Sequence, residues 1–345
     1  MKIVGCDLHT RYQQIALLDE ETGELIERRL EHESGEARAF YASLEGAVRV
    51  GIEATGHTRW FERMLAELGQ ELWIGDAAQI RAAMVRKQKT DARDAAHLLE
   101  MLLSGRFPRL WRPTMEERDL RQLVWHRQKL VWMRTAVGNQ LHALAMGEGV
   151  CRKKKLFTQK GRRELEGLQL DPWASRRRQE LLTMLDQLEV SVKELDQAVA
   201  KQAEQNPAAV RLMTHPGVGP ITSLAFVLTL GPVERFARSK QVVSYLGLNP
   251  REHSSGGRQR LGSISKQGNP MMRSLLVEAG HTAARMDAEL RQDYQRLKLR
   301  RGGGVAKVAI ARKLAVRMYW MLRSPASYAQ LVRMQGSPGA TLVES

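Results

Sequence analysis

Two short apolar runs each end on an acid: "KIVGCD" on Asp7 and "VRVGIE" on Glu53. Asp91 and Asp94 lie three apart in "KTDARDAAHLL", which puts both on one face of a helix. In open α/β sheets functional groups gather beyond the carboxyl ends of the strands, so neighbouring strands would bring Asp7 and Glu53 together. Converging carboxylates repel one another unless a dication neutralises them. Oxygen-only ligation suits Mg²⁺, with Mn²⁺ as its substitute. Two such ions about 4 Å apart clamp the attacking and leaving oxygens of a phosphodiester. Each acid alone has a plainer reading, as a turn former or part of a solvated helix face. Their order and their placement on strands and helix favour the metal site.

A second group lies in "YLGLNPREHSSGGRQRLGSISKQGNPMMRSLL". Ser254 and Ser255 precede Gly256–Gly257 and the cations Arg258, Arg260, Lys266 and Arg273. A nucleophilic serine needs positive charge around a phosphorane-like transition state, and these cations supply it. The two serines leave the nucleophile open by one residue, and His253 reads as a base, a phosphate contact or a structural group. Upstream, "HPGVGP" between apolar helical segments resembles a helix-hairpin-helix. Backbone N–H groups at Gly217 and Gly219 would there meet a phosphate without reading sequence. A tight helix–helix turn would use the same glycines.

Charge points to the partner. The 345 residues hold 54 Lys+Arg against 38 Asp+Glu, a formal net charge of +16, and such an excess calls for a polyanion, usually nucleic acid. Arg86, Lys87 and Lys89 precede Asp91, and Arg152, Lys153, Lys154 and Lys155 form a basic cluster. Both read as phosphate contacts, worth affinity without sequence choice. No apolar run approaches the roughly 20 residues a spanning helix needs, so a membrane is not the expected anion. The N-terminus lacks signal-peptide anatomy, and Cys6 and Cys151 make neither a disulfide framework nor a zinc site, which suits a reducing cytoplasm. The seven tryptophans make no stacking pattern, and Trp125 and Trp132, seven apart on one helix, read as core rather than as base platforms.

The elements that must position these groups follow from periodicity. The first hundred residues alternate strand and helix, with a hairpin turning at "DEETGE" that opens a mostly parallel sheet. "RPTMEERDL" starts a long helix with a capping box at Thr114 and Glu117, running to about Met146. "CRKKKLFTQKGRR" reads as a linker or mobile loop. A second long helix spans Trp173 to Gln205, with a heptad seam at Leu181, Leu185, Leu188, Val192, Leu195 and Val199. That seam suits pairing with the first long helix or with another chain. The remainder reads as short helices with Gly-rich turns, "SLAFVLTL" as a core segment, and a basic, Gly-rich tail at Leu299–Lys307. The fold class is α/β plus α. The expected organisation is 1–112 as catalytic domain, 113–206 as helical section with basic linker, 207–335 as C-terminal domain, and 336–345 as a disordered tail.

Taken together and in order, "GCDLH", "GIEATG", "KTDARDAAHLL", "HPGVGPITSLAFV", "YLGLNP" and "SSGGRQRLGSISKQGN" resemble the transposases of the insertion-sequence 110 and 1111 group, the DEDD recombinases. The resemblance covers nearly the whole chain. It implies a RuvC-like, RNase H-type fold in front, a coiled-coil middle section, and a helical transposase domain behind. It also implies Mg²⁺ on Asp7, Glu53, Asp91 and Asp94, and a nucleophile at Ser255 that forms a transient phosphoserine link to DNA. The implied partners are donor and target DNA and a structured guide RNA from the same element. The implied assembly is a homodimer pairing into a tetramer, in a bacterial cytoplasm and at the nucleoid when acting. Two rival readings stay open: a RuvC-like nuclease that hydrolyses junctions with a metal-activated water, and a non-catalytic nucleic-acid scaffold.

Overall fold

The computed structural model describes residues 1–84, 90–152, 155–252 and 261–330. The chain divides into two compact units, Met1–Arg112 and Pro113–Ser345. The first is built from β1 (Lys2–Leu8), β2 (Tyr12–Asp19), β3 (Leu25–Glu31), α1 (Glu36–Ala42), β4 (Val48–Glu53), α2 (Arg59–Glu67), β5 (Glu71–Gly75), α3 (Ala77–Ala83) and α4 (Asp91–Leu103). The sheet order is β3-β2-β1-β4-β5. β1, β2 and β3 pair antiparallel through the expected hairpin, whereas β1, β4 and β5 run parallel. Helix α3 was not anticipated from periodicity; it is capped by Asp76, whose side chain accepts from the N–H groups of Ala78 and Gln79.

Alternation along the strands splits this unit into two cores, because successive side chains point to opposite faces. Val4, Cys6 and Leu8 of β1 join Val48, Val50 and Ile52 of β4 in one core with Tyr41, Phe61 and Leu65. Ile3 shares the other face with Ala95, Leu98, Leu99 and Leu102 of α4. On that second face β1 and β4 carry glycine at matched positions, Gly5 opposite Gly51. A Cβ at Gly5 would fall 2.2 Å from the Ala95 carbonyl oxygen and 2.4 Å from the Leu99 nitrogen. One at Gly51 would fall 2.7 Å from the end of the Leu102 side chain. Helix α4 therefore lies directly on the backbone of β1.

The second unit begins with α5 (Met115–Gly147), followed by α6 (Gln159–Glu166), α7 (Pro172–Gln205), α8 (Pro207–Met213), α9 (Pro220–Leu230) and α10 (Ser239–Tyr245). Then come β6 (Pro250–Glu252), β7 (Leu261–Ile264), α11 (Pro270–Met286), α12 (Ala288–Arg301) and α13 (Gly303–Arg323). The capping box starts α5 as the sequence requires: Glu117 N–H donates to Thr114 Oγ1 at 3.1 Å, and Thr114 N–H to Glu117 Oε2 at 2.8 Å. The heptad face of α7 packs on α5 of the same chain. Val137, Leu141 and Ala145 meet Leu181, Leu185 and Leu188, and Arg127 Nε donates to Asp196 Oδ1 at 2.6 Å.

Several local expectations change here. The stretch read as a linker becomes α6 from Gln159 onward, capped by Thr158 and held in the α5–α7 core by Leu156 and Leu165. Gly161 is needed there, since a Cβ would lie 2.1 Å from the Lys155 carbonyl oxygen. Leu299–Lys307 is not a tail but the join between α12 and α13. At the far end of the long helices, Val124, Val199 and Ala203 enter the core formed by Leu224, Phe226, Met272 and Leu314, so packing continues across 206/207. Residues 336–345 lie outside the described residues. Among the described residues no helix is long and apolar enough to cross a membrane.

Candidate active site

The strand alternation that seats α4 also aims the acids. Gly5 and Asp7 share one face of β1, and Gly51 and Glu53 share the same face of β4, each acid standing two residues beyond its glycine. The parallel register runs to Cys6 opposite Ile52, so Asp7 and Glu53 are the next matched pair at the carboxyl ends. Helix α4 starts at Asp91, with Thr90 as N-cap accepting from Arg93 N–H, and Asp91 and Asp94 occupy its first turn. The positive end of the helix dipole favours carboxylates there. Close seating on Gly5 carries that first turn to the strand ends. Asp7, Glu53 and Asp94 line one small cavity of about 90 Å³, together with Arg81, His97 and Leu98.

Asp91 is not among the residues lining that cavity; it stands beside Asp7, in contact with His9 and with Tyr12 of β2. Asp7, His9 and Asp91 present ligand atoms all within 4.8 Å of one another. His9 Nε2 lies 3.1 Å from Asp7 Oδ2 and 3.5 Å from Asp91 Oδ2. Tyr12 donates its hydroxyl to Asp91 Oδ2 at 2.9 Å. Its ring stacks beside His9, with centroids 4.7 Å apart, under the guanidinium of Arg29. Arg81 stands 3.6 Å from Glu53 Oε1.

The electrostatics match a site built for a cation. Burial pushes the Asp7 carboxyl above its usual range, His9 opposes that shift, and the charges of Asp94 and Asp91 add to it. Donation to Asp91 raises the Tyr12 phenol. A dication would relieve the repulsion that Asp94 and Asp91 exert on Asp7. The donor set is mostly carboxylate oxygen, the hard-ligand chemistry of Mg²⁺ and Mn²⁺, and the cavity has room for an ion with a few waters. The residues present fit such an ion, and the cluster brings His9 in as a ligand candidate beside the expected acids.

His9, Tyr12, Arg81 and His97 join the site beyond the residues expected from sequence. His9 carried a signal: it is two residues after Asp7, and a period of two gives a shared face. Tyr12 carried none, because its approach to Asp91 depends on the hairpin register.

In the second unit the root of the serine-bearing hairpin is described and its tip is not. Pro250 pairs with Ile264 and Glu252 with Leu261. Ser254 and Ser255 lie outside the described residues, with His253, Arg258 and Arg260. Arg86, Lys87, Lys89, Lys153 and Lys154 also lie outside them. The root is tied tightly. Gly247 (φ 68°) leaves 1.9 Å between a would-be Cβ and the Gln267 carbonyl oxygen, and Gly268 (φ 72°) leaves 2.2 Å to that of Tyr245. Lys266 has φ 57°, unusual for a side-chain-bearing residue, and its N–H donates to the Gly247 carbonyl. Arg273 donates to the carbonyls of Leu246 and Gln267, so it braces this root.

Two other expected contacts are also occupied by structure. Arg152 forms a two-pronged pair with Glu164, at 2.8 and 3.1 Å. Gly217 (φ 86°) packs so closely on α11 that a Cβ would sit 2.5 Å from the Ala283 nitrogen, which gives it the role of a tight turn. Gly219 has open space around it and precedes α9. Lys155 is exposed. Trp125 and Trp132, expected in the core, are 51% and 47% exposed.

Comparison with known proteins gives a consistent picture. A family model for DEDD transposases of the IS110 type matches residues 4–147, and one for the transposase IS116/IS110/IS902 family matches residues 209–295. The chain is 28% identical to the transposase for insertion sequence element IS1111A of Coxiella burnetii over 340 residues, 95% of this chain and 91% of that protein. It is 29% identical to a probable family 20 transposase of Pseudomonas aeruginosa over 336 residues, covering 93% and 96%. Similarity to the transposase for insertion sequence element IS1328 of Yersinia enterocolitica is 27% over 292 residues, covering 79% and 83%.

Proposed function

The chain belongs to the IS116/IS110/IS902 family of transposases, and from that premise we propose that it is an RNA-guided DNA recombinase working through a phosphoserine intermediate. The observation that carries this reading is the meeting of Asp7, Glu53 and Asp94 in one cavity, with Asp91 beside Asp7. The sheet order, with a hairpin leading into parallel strands, supports a RuvC-like, RNase H-type reading of the first unit.

Asp7, Glu53, Asp91 and Asp94 hold Mg²⁺ in this proposal, with His9 as an added ligand. When bound, the ion supplies charge neutralisation at the scissile phosphate. Tyr12 fixes the Asp91 carboxylate by its hydrogen bond, as partners of metal ligands do. Ser255 Oγ forms a bond to the scissile phosphorus as the bond to the leaving deoxyribose oxygen breaks, and that oxygen departs as a hydroxyl. Attack by the hydroxyl of the exchanged strand restores a phosphodiester and frees the serine. The anchored hairpin root of Gly247, Gly268 and Arg273 holds this serine's segment. Base pairing by a structured guide RNA chooses donor and target DNA, while the protein's cations grip backbone. Homodimers pairing into tetramers bring two such sites together.

Trapping a covalent protein–DNA adduct in Mg²⁺ tests the proposal. The adduct is expected from the parent protein loaded with its copurifying RNA and lost in Ser255→Ala. Free nicks without any protein-linked strand would instead indicate hydrolysis by metal-activated water.

A further inference from the structure

Helix α5 buries Val124, Gln128, Val137, Gly138 and Leu141. Its opposite side is exposed at Gln122, Trp125, His126, Lys129 and Trp132. These follow helical spacing, so they form one stripe. Two indoles left about half exposed are costly in water unless something covers them, because tryptophan is among the largest apolar surfaces a chain can present. The stripe borders a cleft of about 390 Å³ whose far wall is the start of α11, from Asn269. Among the described residues no acid lines this cleft.

We infer that this cleft is a stacking site for unpaired nucleobases of a nucleic-acid strand. The two indoles are seven residues apart, about 10 Å along the axis, so each can take a different base. Lys129 stands between them, four residues after Trp125 and three before Trp132, where it can meet the backbone phosphate joining those bases. Aromatic platforms alternating with cations are how sequence-tolerant single-strand sites work. The exposed Gln122 amide can bond base edges. Asn269 uses its side-chain oxygen to cap α11 through the N–H groups of Met271 and Met272, so its amide nitrogen is the group it offers.

A net charge of +16 and an acid-free lining favour a polyanion here. A second copy of this chain is the poorer occupant. A two-fold contact centred on the stripe would set Lys129 against its own copy. A duplex is poorer too, because its bases are already stacked on one another. Asn269 directly follows Gly268, the residue that locks the hairpin root, so the cleft adjoins the segment carrying Ser254 and Ser255 in sequence. This inference shares with the proposed function only the premise of a nucleic-acid substrate, and needs neither the metal nor the serine.

The test compares labelled single strands of about 20 thymidylate or uridylate nucleotides with a duplex of the same length, binding to the parent, to Trp125→Ala with Trp132→Ala, and to the two Phe replacements. Single-strand affinity is expected to fall on the order of tenfold per tryptophan removed. The Phe variants should recover most of it, and the salt slope and duplex affinity should stay put, since no cation is lost. In the parent, 5-bromouracil strands should photocrosslink to the peptide spanning Trp125 and Trp132, a readout independent of any variant's folding. Unchanged single-strand affinity in the double alanine variant overturns the inference, as does a halved sedimenting mass with affinity retained. If that variant binds single strands normally yet still forms the Mg²⁺-dependent adduct, the inference fails while the proposed function stands.

Discussion

Gly5 and Gly51 lie in strands without left-handed backbone, and their importance comes from the helix lying on them. Gly247 and Gly268, at the root of the serine-bearing hairpin, have positive φ and lie where two loops close on each other. In the first unit, glycine brings a helix terminus to two strand ends, and the acids meet as a consequence of core packing. In the second, glycine fixes the base of a hairpin by backbone hydrogen bonds, with Arg273 bracing it. The acid site is thus inseparable from the fold of its unit. The hairpin root is itself tied to a core, since Leu246 and Leu248 beside Gly247 are buried with Met271 and Met272.

Substitutions at the glycines should separate the two cases most sharply. Gly5→Ala sets a methyl group against backbone atoms of α4 that cannot rotate away, and should cost about 3 kcal/mol or more, enough to unfold the first unit in urea titration. Gly51→Ala meets only the tip of Leu102 and should cost about 1 kcal/mol. Equal costs would mean that α4 is not seated as described. Gly247→Ala sets a methyl group 1.9 Å from the Gln267 carbonyl oxygen at a positive φ, so it should destabilise the second unit at least as much as Gly5→Ala does the first, while metal binding by the first unit stays intact. It should cut adduct formation by about a hundredfold, the scale of a misplaced reacting group.

Tyr12→Phe is a smaller change confined to the acid site. Loss of the hydrogen bond to Asp91 should weaken Mn²⁺ affinity by about tenfold and leave DNA affinity unchanged.

The pH dependence is gentler still. The folded state raises the Asp7 carboxyl, so it holds a proton to higher pH than the unfolded chain does. Its contribution to stability is present below the unfolded value, near 3.9, and is lost as pH rises through the folded value. Metal-free Asp7→Asn should therefore melt a few degrees above the parent at neutral pH. Acidification should close the gap, and saturating Mg²⁺ should reverse it in the parent's favour. Thermal scans across pH with and without Mg²⁺ check all three outcomes.

Much of this arrangement was legible in the sequence, for identifiable reasons. Asp7 and Glu53 could be placed because each ends an apolar run, and Thr114 with Glu117 marked the start of α5. The glycine seats went unread. A strand glycine that receives a helix looks like any other, although the shared pattern Gly5-Cys6-Asp7 and Gly51-Ile52-Glu53 does contain the clue. Trp125 and Trp132 were misplaced because seven-residue spacing fixes a shared face without saying whether that face is covered. Here α7 covers the face of Val137 and Leu141 instead. Charge alone makes Arg152 and Arg273 look like phosphate contacts, whereas their partners, Glu164 and two backbone carbonyls, depend on tertiary packing.

The central claim is that the glycine-seated acids form a metal centre, and Mn²⁺ titration followed by electron paramagnetic resonance tests it most directly. The parent chain should bind Mn²⁺ saturably, with binding abolished in Asp7→Asn, strongly weakened in Asp91→Asn, and unaffected in Glu100→Gln, which changes an exposed acid further along the same helix. Full binding in Asp7→Asn would contradict the account.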